Sequence, residues 1–120
     1  MQFLYLDYET FYSKDYSLRK MTPVEYILDP QFECIGVALA EDDGEPFWLD
    51  HEGFVDYLKS NDRSRVKIVS HNALFDMSIR AWRYNFVPFL MIDTLSLARA
   101  KWSYKLTSVS LAKCAEHLKI

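Results

Sequence analysis

The heptapeptide LYLDYET, residues 4–10, places two carboxylates, Asp7 and Glu9, at the end of an apolar run. Residues two apart on a strand point to the same face. At about 3.3 Å of rise per residue, their Cα atoms lie roughly 6–7 Å apart. Two like charges at that distance repel by roughly 2–3 kcal/mol at an effective dielectric of about 20. Such a pair needs water to screen it or a cation between its members. A third carboxylate, Asp76, ends the stretch SHNALFD, residues 70–76. It falls about one turn into a helix that leaves the carboxyl end of another strand. If the two strands are parallel neighbours, Asp76 reaches toward Asp7 and Glu9, at the edge where open α/β sheets gather their ligands. Three converging carboxylates without histidine or cysteine make a hard-oxygen site, the kind that suits Mg²⁺ or Mn²⁺.

The elements that must position these groups are readable from period and punctuation. Residues 2–8 are apolar on both faces, which predicts a central strand covered on both sides. ECIGVALA (33–40), a turn at 41–44 and EPFWLD (45–50) predict a β-hairpin. Asp50 is placed to cap a helix that carries Phe54, Val55 and Leu58 on one side. VKIVSH (66–71) reads as a strand. NALFDMSIRAWRYN (72–85) reads as a helix, with Phe75, Ile79, Trp82 and Phe86 at helical spacing. FLMID (89–93) is a further strand, Asp93 caps the next helix, and a last helix covers roughly 107–119 with Leu111, Ala115 and Leu118 on one stripe. This order predicts an α/β domain with a mixed sheet: three antiparallel strands, then two parallel strands reached through right-handed crossovers. Residues 10–32 form a long connection for a compact domain. Thr22-Pro23-Val24-Glu25 spells a capping box with proline at the first helical position, and Pro30 stops that helix. Long ordered connections beside a strand end tend to serve a site.

The 120 residues are enough for one domain, and half of them are hydrophobic, so a sizeable core can form. The net charge of −3 gives no overall basic field, so a phosphate partner must be held locally. Cys34 and Cys114 have no metal-ligand or redox spacing and read as free thiols in a reducing compartment. No apolar run approaches the roughly 20 residues of a membrane span, and Asp7 and Glu9 come too early for a signal peptide. The expectation is a soluble cytoplasmic protein with no membrane partner.

LDYET (6–10), HNALFD (71–76) and IDTLSLAR (92–99) resemble the first two motifs, and the stretch after them, of the DEDD 3′–5′ exonucleases, a superfamily of ribonuclease-H-like fold. The nearest likeness is the proofreading exonuclease domain of bacteriophage family-A DNA polymerases. YSLRKMTPVEYILDPQFECIGVALA (16–40) resembles the segment joining the first motif to the hairpin there, so the likeness covers nearly all of the chain. It implies hydrolysis of the terminal phosphodiester by two ions, Mg²⁺ or Mn²⁺, about 4 Å apart, with release of nucleoside monophosphates. By that likeness Asp7 bridges both ions, Glu9 binds the one nearer the attacking water, and Asp76 holds the other through water. Thr10 and Asn72 position the 3′-terminal nucleotide of a single-stranded DNA, and Phe75 packs near a terminal base. A phage-encoded enzyme of this kind works in the host cell cytoplasm. Plainer roles stand beside these. Asn72 caps a helix that starts at Ala73. Phe75 belongs to the core, His71 ends a strand, and Arg80 and Arg83 lie on a solvated face or in ion pairs.

The chain departs from the resemblance at the third motif, Tyr-x-x-x-Asp or His-x-x-x-x-Asp. No tyrosine here is followed four residues on by aspartate. His51 and Asp56 fit the histidine spelling but precede the second motif. SVSLAKCAEHLKI (108–120) resembles the segment just before the third motif. The expectation is therefore one exonuclease-like domain over 1–120 that lacks its last motif and is inactive alone. A polymerase domain, a completing chain or a second copy would supply the remainder. The alternative is a catalytically degenerate module that binds nucleic acid or a polymerase. A phosphohydrolase with an aspartate nucleophile wants Asp-x-Asp with a threonine two beyond, whereas Glu9 and Thr10 are adjacent.

Overall fold

The computed structural model describes residues 2–60 and 65–120. Strand β1 (Phe3–Thr10) alternates strictly. Leu4, Leu6 and Tyr8 are buried on one face, while Tyr5, Asp7 and Glu9 stand exposed on the other. The strand expected to be covered on both sides is covered on one. The reason lies in the same alternation: Tyr5 shares its face with two carboxylates, and burying unpaired charge is costly.

Strands β2 (Cys34–Glu41) and β3 (Phe47–Asp50) form the expected hairpin. Strands β4 (Lys67–Ser70) and β5 (Leu90–Asp93) complete a five-stranded sheet of order β3-β2-β1-β4-β5. β1 pairs antiparallel with β2 and parallel with β4, and β4 pairs parallel with β5. The sheet is thus mixed in the predicted sense. Helices α1 (Pro23–Leu28), α2 (His51–Ser60) and α3 (Ala73–Arg83) add Ile27, Phe54 and Ile79 to a core of Leu4, Leu6, Val37, Leu39 and Ile68. Two further helices follow, α4 (Thr94–Trp102) and α5 (Leu111–His117). Among the described residues, no helix is long and apolar enough to cross a membrane.

Local capping explains most helix starts. Thr22 and Glu25 form the reciprocal capping box, with Pro23 at the first turn. Asp50 accepts from the Gly53 amide at 2.7 Å, and Asp93 accepts from the Leu95 amide at 3.0 Å. α5 is shorter than the predicted 107–119, because Ser110 caps it by accepting from the Lys113 amide. Its expected apolar stripe is not buried: Leu111 and Leu118 are exposed, and Cys114 faces inward instead. α3 ends at Arg83, and Trp82 is exposed where the helical spacing predicted core. Both cysteines are free and buried.

Candidate active site at the carboxyl ends of the parallel strands

The parallel register sets Leu4 beside Ile68 and Tyr5 beside Val69. The Ser70 hydroxyl donates to the Leu6 carbonyl at 3.2 Å, so the chain leaves β4 just short of the level of Asp7. α3 then carries Asp76 back to the same end of the sheet. Asp7 is close enough to Asp76 to act on it electrostatically. Burial lifts the Asp76 carboxyl to about 7. Arg80 pulls it down, Asp7 pushes it up, a hydrogen bond with Ser70 opposes, and Asp93 adds a further push. Partial burial also raises the Asp7 carboxyl, against the downward pull of His71.

Glu9 lies two residues on, on the same exposed face as Asp7. Its cross-strand neighbour is Gly36, whose other neighbour is Asp50. The indole of Trp48 lies over Gly36, where an added Cβ would stand 2.1 Å from Trp48 Cζ2. Glu9 therefore borders a half-exposed aromatic surface. Beside it, a shallow and largely apolar hollow of about 330 Å³ is lined by Tyr5, Asp7, Ala38, Ala40, Val69 and His71.

His71 is committed elsewhere. Its Nδ1 lies 3.0 Å from Thr94 Oγ1, and its Nε2 lies 2.8 Å from the Val109 carbonyl. Histidine thus ties the strand end to the segment before α5, as a strand-end role predicts. The donors left at the site are carboxylate oxygens, which fit a hard divalent cation in kind. Among the described residues, no three His, Cys, Asp or Glu side chains stand close enough to share an ion. Mg²⁺ commonly uses one or two carboxylates and completes its shell with water and substrate phosphate. Asp7 and Asp76 are two carboxylates at one end of the sheet.

Arg80 departs furthest from expectation. It is wholly buried rather than solvated, and its Nε and Nη1 find no hydrogen-bond partner among the described residues, nor does the Tyr8 hydroxyl beside it. Burial lowers its pKa, while Tyr8 and Asp76 work to keep the cation. Arg83 is also a structural tie. It donates to the carbonyls of Ile27 and Asp29 at 2.8 and 3.0 Å and packs its guanidinium over the Phe32 ring at 4.8 Å. Asn72 takes a left-handed conformation (φ 75°), and its side chain makes no cap to α3. Asp93 receives the Asn72 amide at 3.0 Å. Against the upward push of partial burial, hydrogen bonds from Ala73, Ser96, Asn72 and Leu95 hold the Asp93 carboxyl below its ordinary value.

Thr10 is placed by α1. Its hydroxyl lies 2.8 Å from the Tyr26 hydroxyl, which donates to the Phe11 carbonyl at 2.5 Å. Phe75 is partly buried, with its ring centroid 6.0 Å from that of Tyr26. Thr10 and Phe75 therefore both adjoin one tyrosine. The sequence reading missed Tyr26 and Tyr16, which pair with centroids 4.6 Å apart. The only signal in the sequence was the unusual length of the connection that holds them.

No protein-family model and no curated protein matches the sequence. Among solved structures the chain is similar to Brucella melitensis NrnC bound to pGG, with a TM-score of 0.65 and 18% identity. The match covers 98% of this chain and 53% of that one, so the chain spans about half the length of that structure. At this identity the likeness shows the fold alone. The fold is α/β, with a ribonuclease-H-like mixed sheet of five strands and flanking helices.

Proposed function

We propose that residues 1–120 carry the metal-binding half of a 3′–5′ exonuclease site, of the proofreading type found in phage family-A DNA polymerases. The observation that carries the reading is the placement of Asp7 on β1 and of Asp76 in the first turn of α3, which follows β4, at the carboxyl ends of neighbouring parallel strands. The fold shared with a structure that holds a nucleic acid, pGG, supports it.

In this reading Asp7, Glu9 and Asp76 hold Mg²⁺ or Mn²⁺, two ions in the complete site. Bound divalent ions supply an activated water and neutralise charge on the reacting phosphate. Thr10 and Asn72 seat the 3′-terminal nucleotide of a single strand, and Phe75 packs against its base. Tyr26 fixes Thr10 and adjoins Phe75. Ser70 and Arg80 favour the charged form of Asp76, which is the form that binds a cation. Further oxygen ligands come from another segment, either a polymerase domain or a completing chain.

Mn²⁺ titration by calorimetry tests this reading. Asp7→Ala should weaken binding about tenfold or more, because one of the three carboxylate ligands is lost. Equal binding by both proteins would overturn the assignment. Labelled oligonucleotides test the direction of attack in a form that includes the completing segment. Internal cuts or attack from the 5′ end would exclude the proofreading type. A second reading, a nucleic-acid-binding module without catalysis, is favoured by one observation: among the described residues, no three ligands converge. Metal-dependent release of monophosphates by the completed protein, absent in Asp7→Ala, separates the two.

A further inference from the structure

A cleft of about 790 Å³ begins at Thr10 and Phe75 and runs along the segment after β1, where Tyr12, Lys14, Arg19 and Lys20 line it. Its volume is within the roughly 300–1,000 Å³ of ordinary ligand clefts. The charge of its wall runs against that of the molecule. Residues 11–22 contain three cations and one acid, in a chain of net charge −3. Lys20 is paired with Asp15 at 3.2 Å, and both are exposed. Lys14 and Arg19 form no ion pair with a described carboxylate. Tyr12 is 75% exposed beside them. An exposed aromatic among unpaired cations is the composition that holds single strands: the cations track phosphates and the ring stacks on a base.

The segment is also held in place. Tyr16 is buried, donates to the Tyr26 carbonyl at 2.5 Å and stacks between Phe11 and Tyr26. Ser13 and Tyr16 exchange hydrogen bonds, and the amides of Lys20 and Met21 donate to the Ser17 carbonyl at 3.1 and 3.0 Å. The cations therefore project from a fixed turn and not from a free loop, so little ordering is needed on binding.

We propose that this cleft is an upstream subsite for single-stranded nucleic acid. Lys14 and Arg19 take backbone phosphates of nucleotides on the 5′ side of the terminal one, and Tyr12 stacks on a base there. The proposal rests on the nuclease reading for the polarity of the strand, since Thr10 and Phe75 seat the terminal nucleotide. It adds a reach beyond that nucleotide, and with it a dependence on substrate length.

The test is fluorescence anisotropy in EDTA, so that neither metal nor hydrolysis contributes. A thymidine dinucleotide and a longer thymidine oligonucleotide are each titrated at several salt concentrations. The wild type should bind the longer strand more tightly. Lys14→Ala with Arg19→Ala should lower the salt slope for it by about 1.4, at roughly 0.7 per phosphate contact on a single strand. At about 0.1 M salt that corresponds to roughly 25-fold weaker binding. Tyr12→Ala should weaken the longer strand without changing the slope. Dinucleotide binding should be unchanged in all variants. An unchanged salt slope in the double variant, with a matching thermal melt, overturns the subsite and leaves the nuclease reading standing. Equal losses for dinucleotide and longer strand overturn its upstream position. A wild type that binds neither strand in EDTA overturns the subsite and leaves the nuclease reading to the Mn²⁺ titration.

Discussion

Asp76 is the residue where burial and function pull in opposite directions. Its carboxyl stands at about 7 in the fold, against about 3.9 in an unfolded chain. The folded state therefore holds the proton more tightly. The resulting stability is full below about pH 4 and is lost as pH rises toward 7. Asp76→Asn mimics the protonated form and should flatten this dependence. Relative to wild type, the variant should gain about 2–3 kcal/mol between pH 5 and pH 8 in urea unfolding without metal. Parallel profiles for the two proteins would show that Asp76 ionises freely. Arg80 is the counterpart. Its Nε and Nη1 are buried and unpaired, so Arg80→Ala would mix lost packing with lost charge, and Asp76→Asn is the cleaner probe. The sequence could not show this pair as it is. An aspartate and an arginine four apart on a helix read as an exposed ion pair. Only the packing of α3 on Tyr8 and Met91 turns that face inward. Asp7 and Glu9 were legible because their alternation with Leu6 and Tyr8 is a property of the strand alone.

At the scale of elements, what the sequence made legible follows the reach of the rule applied. The capping box at Thr22, the cap at Asp93 and the β2–β3 hairpin depend on residues within about four positions, and they stand as expected. Asn72 shows the limit. Its type and place predict a cap, yet the left-handed turn out of β4 takes its side chain away from α3, and Asp93 from another strand receives its amide. A substitution on β2 tests how tightly the hairpin is built. In Gly36→Ala the new methyl would meet Trp48 Cζ2 at 2.1 Å and the Leu49 carbonyl at 2.7 Å. The indole can swing aside, but the carbonyl is fixed in the ladder. The change should cost about 1–3 kcal/mol in chemical denaturation. Adding Trp48→Ala should recover part of that loss and not all of it. A single variant as stable as the wild type would show that the strands move apart freely.

The whole molecule is a slab of 41 × 40 × 22 Å with a Cα radius of gyration of 15.1 Å. A compact chain of this length is expected near about 13.6 Å. The excess matches a sheet with helices packed on its Leu4–Leu6–Tyr8 face and with Tyr5, Trp48 and Leu111 exposed. Exposed apolar area of that kind favours association. Sedimentation of the 120-residue chain should show concentration-dependent self-association, and Ala38→Lys, on the open face, should suppress it. A monomer at all concentrations would mean that the face is stable in water. The same chain should show little or no exonuclease activity alone, since these 120 residues hold no complete Tyr-x-x-x-Asp or His-x-x-x-x-Asp after Asp76 and positioned general-base chemistry is worth about 10²–10⁴ in rate. Robust Mn²⁺-dependent activity, lost in Asp7→Ala, would overturn that expectation. The position of β1 has a consequence for how the molecule comes into being. Of the five strands it comes first in the sequence, yet it lies third of five in the sheet. Its parallel neighbour is far downstream, with Ser70 bonded to Leu6 across 64 residues. Closing so long a loop is slow, and the entropy must be surrendered before the contact is gained. The nascent strand thus waits with one edge open until β4 arrives. Asp7 and Asp76 first meet at that closing event.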